Sequence, residues 1–158
     1  MNGPGRQYVL FRVGSEEYGL PIGHVSSIIR YETVTPVPRA PVSVQGVIDL
    51  RGRVVPVVDL GKRLFGTTLE PTAHARIIVT ETSSGAVGLA VDAASAVASF
   101  EPEQMMPAPE AALPRELVEA FEAVVHLDGR LVILLDLERV LPQAEYEIAS
   151  TETSEGKA

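Results

Sequence analysis

The chain reads GVIDLRGRVVPVVDL over residues 46–60, and a second version of this stretch, AVVHLDGRLVILLDL, follows at residues 123–137. Extended to Leu64 and Leu141, the two copies are identical at eight of nineteen positions, and four of the eleven differences exchange one aliphatic residue for another. Such self-similarity indicates a duplicated structural unit. Because each copy is rich in Val, Leu and Ile around a central Gly, it favours two β-hairpins built on one plan.

The repeat extends over almost the whole chain. An apolar segment, a short polar turn and a second apolar segment open each half, at residues 8–22 and 76–91, and this order is typical of a hairpin. A less regular amphipathic stretch and a proline-rich connection follow in both halves; proline lacks the backbone donor that a central strand needs. The halves cover about residues 7–66 and 75–141, and we expect them to form one domain, residues 7–142.

Few segments have helical spacing. Residues 60–65 and 137–141 do, and each follows an aspartate, Asp59 or Asp136, that is predicted to cap the first turn. A further helical segment is predicted near residues 114–121.

The composition narrows the class of protein. An apolar fraction of 46% with only 5% aromatic residues favours a β-rich fold, and the absence of Cys excludes disulfides and thiolate metal sites. A net charge of −8 disfavours nucleic acid and anionic membranes as partners, and no apolar run is long enough for membrane insertion. We therefore expect a cytoplasmic protein that binds other proteins. The acidic tail, residues 143–158, is expected to be disordered.

The two aspartates also suggest an enzyme of another class, a duplicated β aspartic hydrolase in which Asp59 and Asp136 share a proton. That family requires Asp-Thr-Gly or Asp-Ser-Gly, whereas this chain has Asp-Leu-Gly at residues 59–61 and Asp-Leu-Glu at residues 136–138. The sequence therefore favours two structural helix caps.

Other catalytic and metal-binding patterns are missing from the sequence. His24, His74 and His126 have no mutual spacing typical of metal ligands, and the chain contains no Gly-x-Ser-x-Gly nucleophile motif. Gly61-Lys62 lacks the rest of a phosphate-binding loop. The sequence therefore predicts no catalytic residue, no cofactor and no metal.

The most informative difference between the two copies is Arg51, which stands where the second copy has Asp128. A constraint of the scaffold acts on both copies, whereas a constraint of function need act on only one. Arg51 at a hairpin tip is thus a candidate protein contact, because Arg is enriched at interfaces. Val25, Ile28 and Ile29 lie on an amphipathic stretch that favours a core position over a binding surface.

Residues 46–60, with Leu-Arg-Gly at their centre, and the pattern F-x-x-G-x-E-E-Y-G at residues 11–19 resemble the CheW family of bacterial chemotaxis adaptors. The resemblance covers residues 7–142. It implies a mainly β fold in which two intertwined, five-stranded SH3-like β-barrels pack on a shared hydrophobic core, with short helices.

The resemblance also implies a function. CheW-like proteins are non-catalytic adaptors that couple the cytoplasmic signalling tips of chemoreceptors to the regulatory domain of a CheA-type histidine kinase, so recruitment to membrane-anchored receptor arrays is expected. The alternative within the family is a CheW-like scaffold of a motility or developmental pathway other than chemotaxis, which binds only one of these partners.

In the family the receptor tip docks in the groove between the barrels, and no kinase-contact residue can be assigned from the sequence. Two positions depart from the family pattern: Ser27 stands where many members have Glu, and Asp49 where the motif has Asn. These departures suggest a divergent receptor. The receptor-binding residues that the resemblance implies are Val25, Ser27, Ile28, Gly46, Arg51 and Gly52.

Overall fold

The structure is a computed structural model that describes residues 6–141; the tail predicted to be disordered lies outside them. Within this range the first half of the chain forms five strands and a helix, β1 (Arg6–Val13), β2 (Glu16–Pro21), β3 (Val25–Arg30), β4 (Val44–Leu50), β5 (Arg53–Asp59) and α1 (Leu60–Phe65). The second half forms β6 (Arg76–Thr82), β7 (Gly85–Val91), β8 (Ala93–Phe100), β9 (Met105–Met106), β10 (Phe121–Leu127), β11 (Arg130–Leu135) and α2 (Leu137–Val140). Short 3₁₀ helices occupy Ile22–His24, Pro102–Gln104, Glu110–Ala112 and Arg115–Ala120.

The strands form two sheets, and the predicted mainly β fold is confirmed. One sheet has five strands in the order β3-β6-β7-β5-β4, and the other has six in the order β8-β1-β2-β11-β10-β9. Strand β9, at one edge of the six-stranded sheet, was not predicted from the sequence. Its residues Met105 and Met106 lie in the proline-rich connection and pair with β10. The amphipathic stretches predicted as less regular, beginning at Val25 and Ala93, are the edge strands β3 and β8.

Each sheet contains strands from both halves of the chain. The β1–β2 hairpin of the first half lies in the sheet of β8 to β11, and the β6–β7 hairpin of the second half lies in the sheet of β3 to β5. Four pairs make these joins, the parallel pairs β2–β11 and β5–β7 and the antiparallel pairs β1–β8 and β3–β6. The sequence repeat and the sheets therefore do not coincide, because the two halves have exchanged their opening hairpins.

The buried side chains form three clusters. One fills the concave side of the six-stranded sheet around Tyr8 and Val125, and one fills the five-stranded sheet around Ile48 and Ile77. The largest lies between the sheets, and its members come from both halves of the chain. They include Phe11, Val13, Tyr18, Leu20, Val58, Leu60, Ile78, Leu89, Leu135, Leu137, Val140 and Leu141.

The five-stranded sheet curls until its two edges approach each other. Tyr31, one residue beyond β3, donates a hydrogen bond from Oη to Gln45 Oε1 on β4, at 3.0 Å. Thr35 then pairs with Val47 through two backbone hydrogen bonds of 2.8 and 2.9 Å. These contacts join the opposite edges of the sheet and close it into a barrel.

Both predicted helix caps are confirmed. Asp59 Oδ1 accepts a hydrogen bond from Lys62 N, and Asp136 Oδ1 accepts one from Arg139 N, each at 3.1 Å. The two helices meet in the shared core, where Arg63 donates from Nε to the carbonyl of Val140 at 2.8 Å. The predicted helical segment near residue 114 is the 3₁₀ helix Arg115–Ala120.

Tyr18 makes stability sensitive to alkaline pH. Burial raises the pKa of its phenol above the ordinary value of 10.0, with a smaller contribution from Glu16. The unfolded chain loses this proton near pH 10 while the folded chain keeps it, so the free energy of unfolding falls as pH rises above about 10, by up to about 1.4 kcal/mol per pH unit. Urea unfolding between pH 8 and 11 measures this slope. Tyr18→Phe should reduce it, and equal slopes for variant and wild type would contradict the assignment.

Candidate functional site

The β4–β5 hairpin holds Arg51 and Gly52 at its tip, as the sequence predicts. Both residues have a left-handed backbone conformation, with φ of 55° and 86°. They form a two-residue turn that matches the twist of the flanking strands. Asp49 Oδ1 accepts a hydrogen bond from Gly52 N at 2.8 Å. Asp49 therefore still supports the turn, although the family motif has Asn at this position. A left-handed conformation costs a residue with a Cβ about 1–2 kcal/mol, and Arg51 lacks the short polar side chain that makes Asp and Asn tolerant of it. The scaffold thus fixes Arg51 in an unfavourable conformation.

The Arg51 side chain is exposed and has no ion-pair partner among residues 6–141. Its neighbour Arg53 differs, because Arg53 Nη1 lies 3.5 Å from Glu81 Oε2 on β6. At the equivalent hairpin of the second half, Asp128 and Gly129 have φ of 50° and 81°. Both copies therefore build the same turn, and only the first presents a guanidinium there.

Gly46 is buried and allows a close backbone approach. A Cβ at this position would lie 2.0 Å from the carbonyl oxygen of Thr35, and φ is +149°, which other residues rarely adopt. This is the point where Thr35 pairs with Val47 and closes the barrel. Gly46 thus shapes the strand that leads to the hairpin tip and offers no side chain to a partner.

Val25, Ser27 and Ile28 lie on β3, an edge strand. Val25 packs against the shared core, as its apolar pattern predicts, and Ser27 is half-buried. The prediction that Ile28 belongs to the core is wrong, because its side chain is 42% exposed. The edge strand is covered on one face only, so its alternate residues point to solvent.

The six implied residues lie on the two edge strands of the five-stranded sheet and on the hairpin tip. Within the sheet, β6, β7 and β5 lie between β3 and β4, but the contacts that close the barrel bring these two edges together. Val25 pairs with Thr80, beside the Glu81 that binds Arg53, so Val25 lies toward the same end of the sheet as Arg51. Ile28 pairs with Ile78, farther from that end. The structure therefore brings Val25 toward the hairpin and leaves Ile28 on the flank.

Asp59 is the most constrained polar group near these strands. It is only 2% exposed, and its second oxygen accepts hydrogen bonds from Leu69 N at 2.7 Å and Gln45 Nε2 at 3.5 Å, in addition to the cap on Lys62. One carboxylate thus holds α1, the segment after it and β4.

The geometry of the two aspartates is that of structural groups. Asp59 and Asp136 line separate clefts, one beside the β1–β2 turn and one beside Arg6. The donors on Asp59 are backbone and amide groups, whereas a catalytic dyad shares a proton between two adjacent carboxyls. Over residues 6–141, no three His, Asp or Glu side chains are grouped as a metal site would require. In the same part of the chain no helix reaches the length and apolarity needed to cross a membrane.

Comparison with known proteins decides the family. Residues 7–145 match the CheW-like domain. The chain belongs to the CheW-like family. It is 39% identical over 145 residues to the chemotaxis protein CheW of Rhizobium meliloti, with 92% of this chain and 93% of the relative covered. It is 34% identical to the CheW of Klebsiella aerogenes, covering 91% and 86%, and 32% identical to that of Bacillus subtilis, covering 92% of each.

A solved structure is similar as well. The scaffolding protein TtCheW of Thermoanaerobacter tengcongensis superposes with a TM-score of 0.78 at 27% identity, over 88% of this chain and 89% of that one. As a member of the family, the present chain is a non-catalytic chemotaxis coupling adaptor. Membership of the family implies coupling between chemoreceptors and a CheA-type kinase. The hydrolase and the non-chemotaxis scaffold are not favoured.

Sequence reasoning missed one residue that builds the site, Thr35, and part of the role of a second, Asp59. Thr35 lies in a proline-rich connection, and nothing in its local pattern indicates that it pairs with β4. Asp59 was predicted as a cap, but its bonds to Leu69 and Gln45 depend on contacts that the repeat does not show.

Gly46→Ala should destabilise the protein by about 2–4 kcal/mol, because the new methyl group overlaps the Thr35 carbonyl and φ is unfavourable. Gly23→Ala is the matched control: a Cβ there meets no atom within 4 Å, so its effect should stay within about 0.5 kcal/mol. Urea denaturation measures both. Equal stability of the two variants would show that the barrel closes without the close approach at Gly46.

Asp59→Asn and Asp136→Asn should differ, although both keep a good cap residue. In Asp59→Asn the new amide group faces the Leu69 N–H, so two donors meet in a buried place and about 1–3 kcal/mol of stability is lost. Asp136→Asn keeps its one cap bond and should change stability by less than about 0.5 kcal/mol. Thermal unfolding distinguishes them, and an equal loss in both would mean that Asp59 acts only as a cap.

Proposed function

We propose that this chain binds the cytoplasmic signalling tip of a chemoreceptor through the β4–β5 hairpin and the adjoining face of β3, and the regulatory domain of a CheA-type kinase elsewhere. The observation that carries the proposal is the exposed Arg51, which has no ion-pair partner among residues 6–141, on a turn that fixes its backbone. The receptor contacts in this proposal are Val25, Ser27, Ile28, Arg51 and Gly52, with Gly46 positioning the hairpin from within.

The chemistry of the surface suits a protein partner. A guanidinium offers five donors in a rigid fork and pairs with a carboxylate through two hydrogen bonds. Because Arg51 has no ion pair to break among the described residues, binding loses no internal contact of this side chain. Ile28 adds an exposed apolar group on the flank of the same sheet. Arginine, as at position 51, is among the residues that dominate interface energies, and Ile28 supplies an apolar group on the same sheet.

Two positions bear on the choice of receptor. Ser27 removes a negative charge that many family members carry on β3, and it is half-buried beside the exposed Ile28. Asp49 is exposed and is engaged with Gly52 N, so its charge lies directly under the hairpin tip. The cognate receptor therefore meets altered charge on β3 and at the base of the hairpin tip. Kinase binding and receptor binding together would recruit the adaptor to membrane-anchored receptor arrays.

Calorimetric titration tests the proposal with two ligands from the same genome, a receptor signalling tip and the regulatory domain of the CheA-type kinase. Arg51→Ala should weaken receptor binding by roughly 10- to 100-fold and leave kinase binding within about twofold, as for the loss of an interface hot spot. Asp128→Ala is the control, because it truncates the exposed residue at the equivalent position of the hairpin turn in the other half.

The thermal midpoint of each variant must accompany the titrations. Wild-type levels of receptor binding by Arg51→Ala would remove this residue from the contact surface. A parallel loss of receptor binding, kinase binding and thermal stability would mean that Arg51 serves the fold.

A further inference from the structure

The two halves of the chain differ at the junction between each helix and the hairpin turn that faces it. In one copy the β6–β7 turn is tied to α2: Glu138 accepts hydrogen bonds from Ser83 N at 2.9 Å and Ser83 Oγ at 3.1 Å. The repeat places Gly61 where the second copy has Glu138, and Gly14 where it has Ser83. The carboxylate that bridges the second junction is therefore missing from the first.

An open cleft of about 460 Å³ occupies the first junction, between α1 and the β1–β2 turn. Asp92, which also lines the cleft, satisfies the turn: its Oδ2 accepts a hydrogen bond from Gly14 N at 2.7 Å. The turn therefore needs no bond across the gap, and the gap stays open. A volume of this size lies in the range of binding clefts and accommodates a few side chains.

The floor of the cleft is apolar, and its rim is acidic. Val13, Leu69 and the ring of Phe65 supply apolar surface, and Phe65 is 52% exposed although its ring packs 6.4 Å from that of Tyr18. Glu16 and Glu70 are exposed on the rim. No Lys, Arg or His is among the described residues that line the cleft. Two cations flank the cleft without lining it: Lys62 Nζ lies 3.5 Å from the hydroxyl of Thr68, and Arg12 Nε donates to the carbonyl of Gly14 at 3.2 Å.

We infer that this cleft is a second docking surface, distinct from the proposed receptor site, and that it takes an arginine and an adjacent apolar side chain from a protein partner. The aliphatic part of the arginine fits the apolar floor, its guanidinium faces Glu16, Glu70 and Asp92, and the half-exposed Phe65 ring offers a face for cation–π contact. Charge complementarity selects this occupant. It disfavours a second copy of a chain with net charge −8, and it disfavours residues 143–158, which carry four Glu and one Lys.

NMR titration of the ¹⁵N-labelled full chain tests the inference with the peptide Ac-Leu-Arg-Ala-Leu-NH₂ at concentrations up to about 10 mM. We expect shift changes centred on Glu16, Gly61, Phe65, Leu69 and Asp92. The same peptide with citrulline in place of Arg should bind at least about fivefold more weakly, because it keeps the shape and loses the charge, and each rim carboxylate contributes roughly two- to fivefold. No shift changes at these residues, or equal binding of the two peptides, would overturn the inference.

Variants locate the contact. Phe65→Ser should weaken binding of the arginine peptide by at least about fivefold, whereas Leu131→Ser, which removes an equally exposed apolar residue (53%) outside the cleft, should not. Gly61→Glu copies the second junction and should close the cleft. A Cβ at residue 61 would lie 3.1 Å from the Thr67 carbonyl oxygen. If Gly61→Glu does not fold for this reason, the result for Phe65→Ser decides the test. Equal loss in Phe65→Ser and Leu131→Ser overturns the assignment.

Two further measurements separate this inference from other occupants and from the proposed function. Deleting residues 143–158, or diluting the protein, should leave the cleft resonances unchanged; a shift in either case identifies the tail or a second copy as the occupant and overturns the inference. Arg51→Ala should bind the peptide like wild type. Failure of the receptor assignment and failure of this one are therefore distinguishable.

Discussion

Two parallel strand pairs, β2 with β11 and β5 with β7, are the constraint on which the rest of the structure depends. Each joins a strand of the first half to a strand of the second, so neither sheet can form from one half alone. The pairs also fix the space between the sheets, because the strands on either side of it supply the largest apolar cluster. Separating the halves would expose that cluster and break both sheets at once. A surface on one barrel therefore keeps a fixed geometry relative to a surface on the other, which suits an adaptor that acts by binding alone.

Where the two copies agree, they specify the scaffold, and where they differ, they alter the surface. Asp59 and Asp136 cap equivalent helices, and the two hairpin turns have nearly the same dihedral angles. Arg51 against Asp128, and Gly61 against Glu138, change exposed chemistry on an unchanged backbone. A duplicated adaptor can thus acquire different partners on equivalent frames, since one copy can vary while the other still meets the demands of folding.

The sequence predicted most of the local structure and part of the site. Hairpins and caps depend on residues close together in the chain, so periodicity and turn chemistry suffice for them. The exposure of Ile28 could not be predicted, because it depends on β3 being an edge strand and hence on the order of strands in the sheet. The Thr35 bridge and the bonds from Asp59 to Leu69 and Gln45 join segments whose approach only the barrel determines. The position of Arg51 was predictable because the repeat supplied an internal comparison.

The exchange of hairpins also affects how this protein is made. A ribosome releases the first half before the second, but the strand partners of the β1–β2 hairpin, β8 and β11, lie in the second half, and β11 begins only at Arg130. Until they emerge, β1 and β2 present unpaired edges and an uncovered apolar face, the condition that favours aggregation during synthesis. Contacts between residues this far apart in sequence also slow folding, since the long loops must close before the contacts form. A growing chain of this adaptor thus keeps these edges and this apolar face exposed until β11 has emerged.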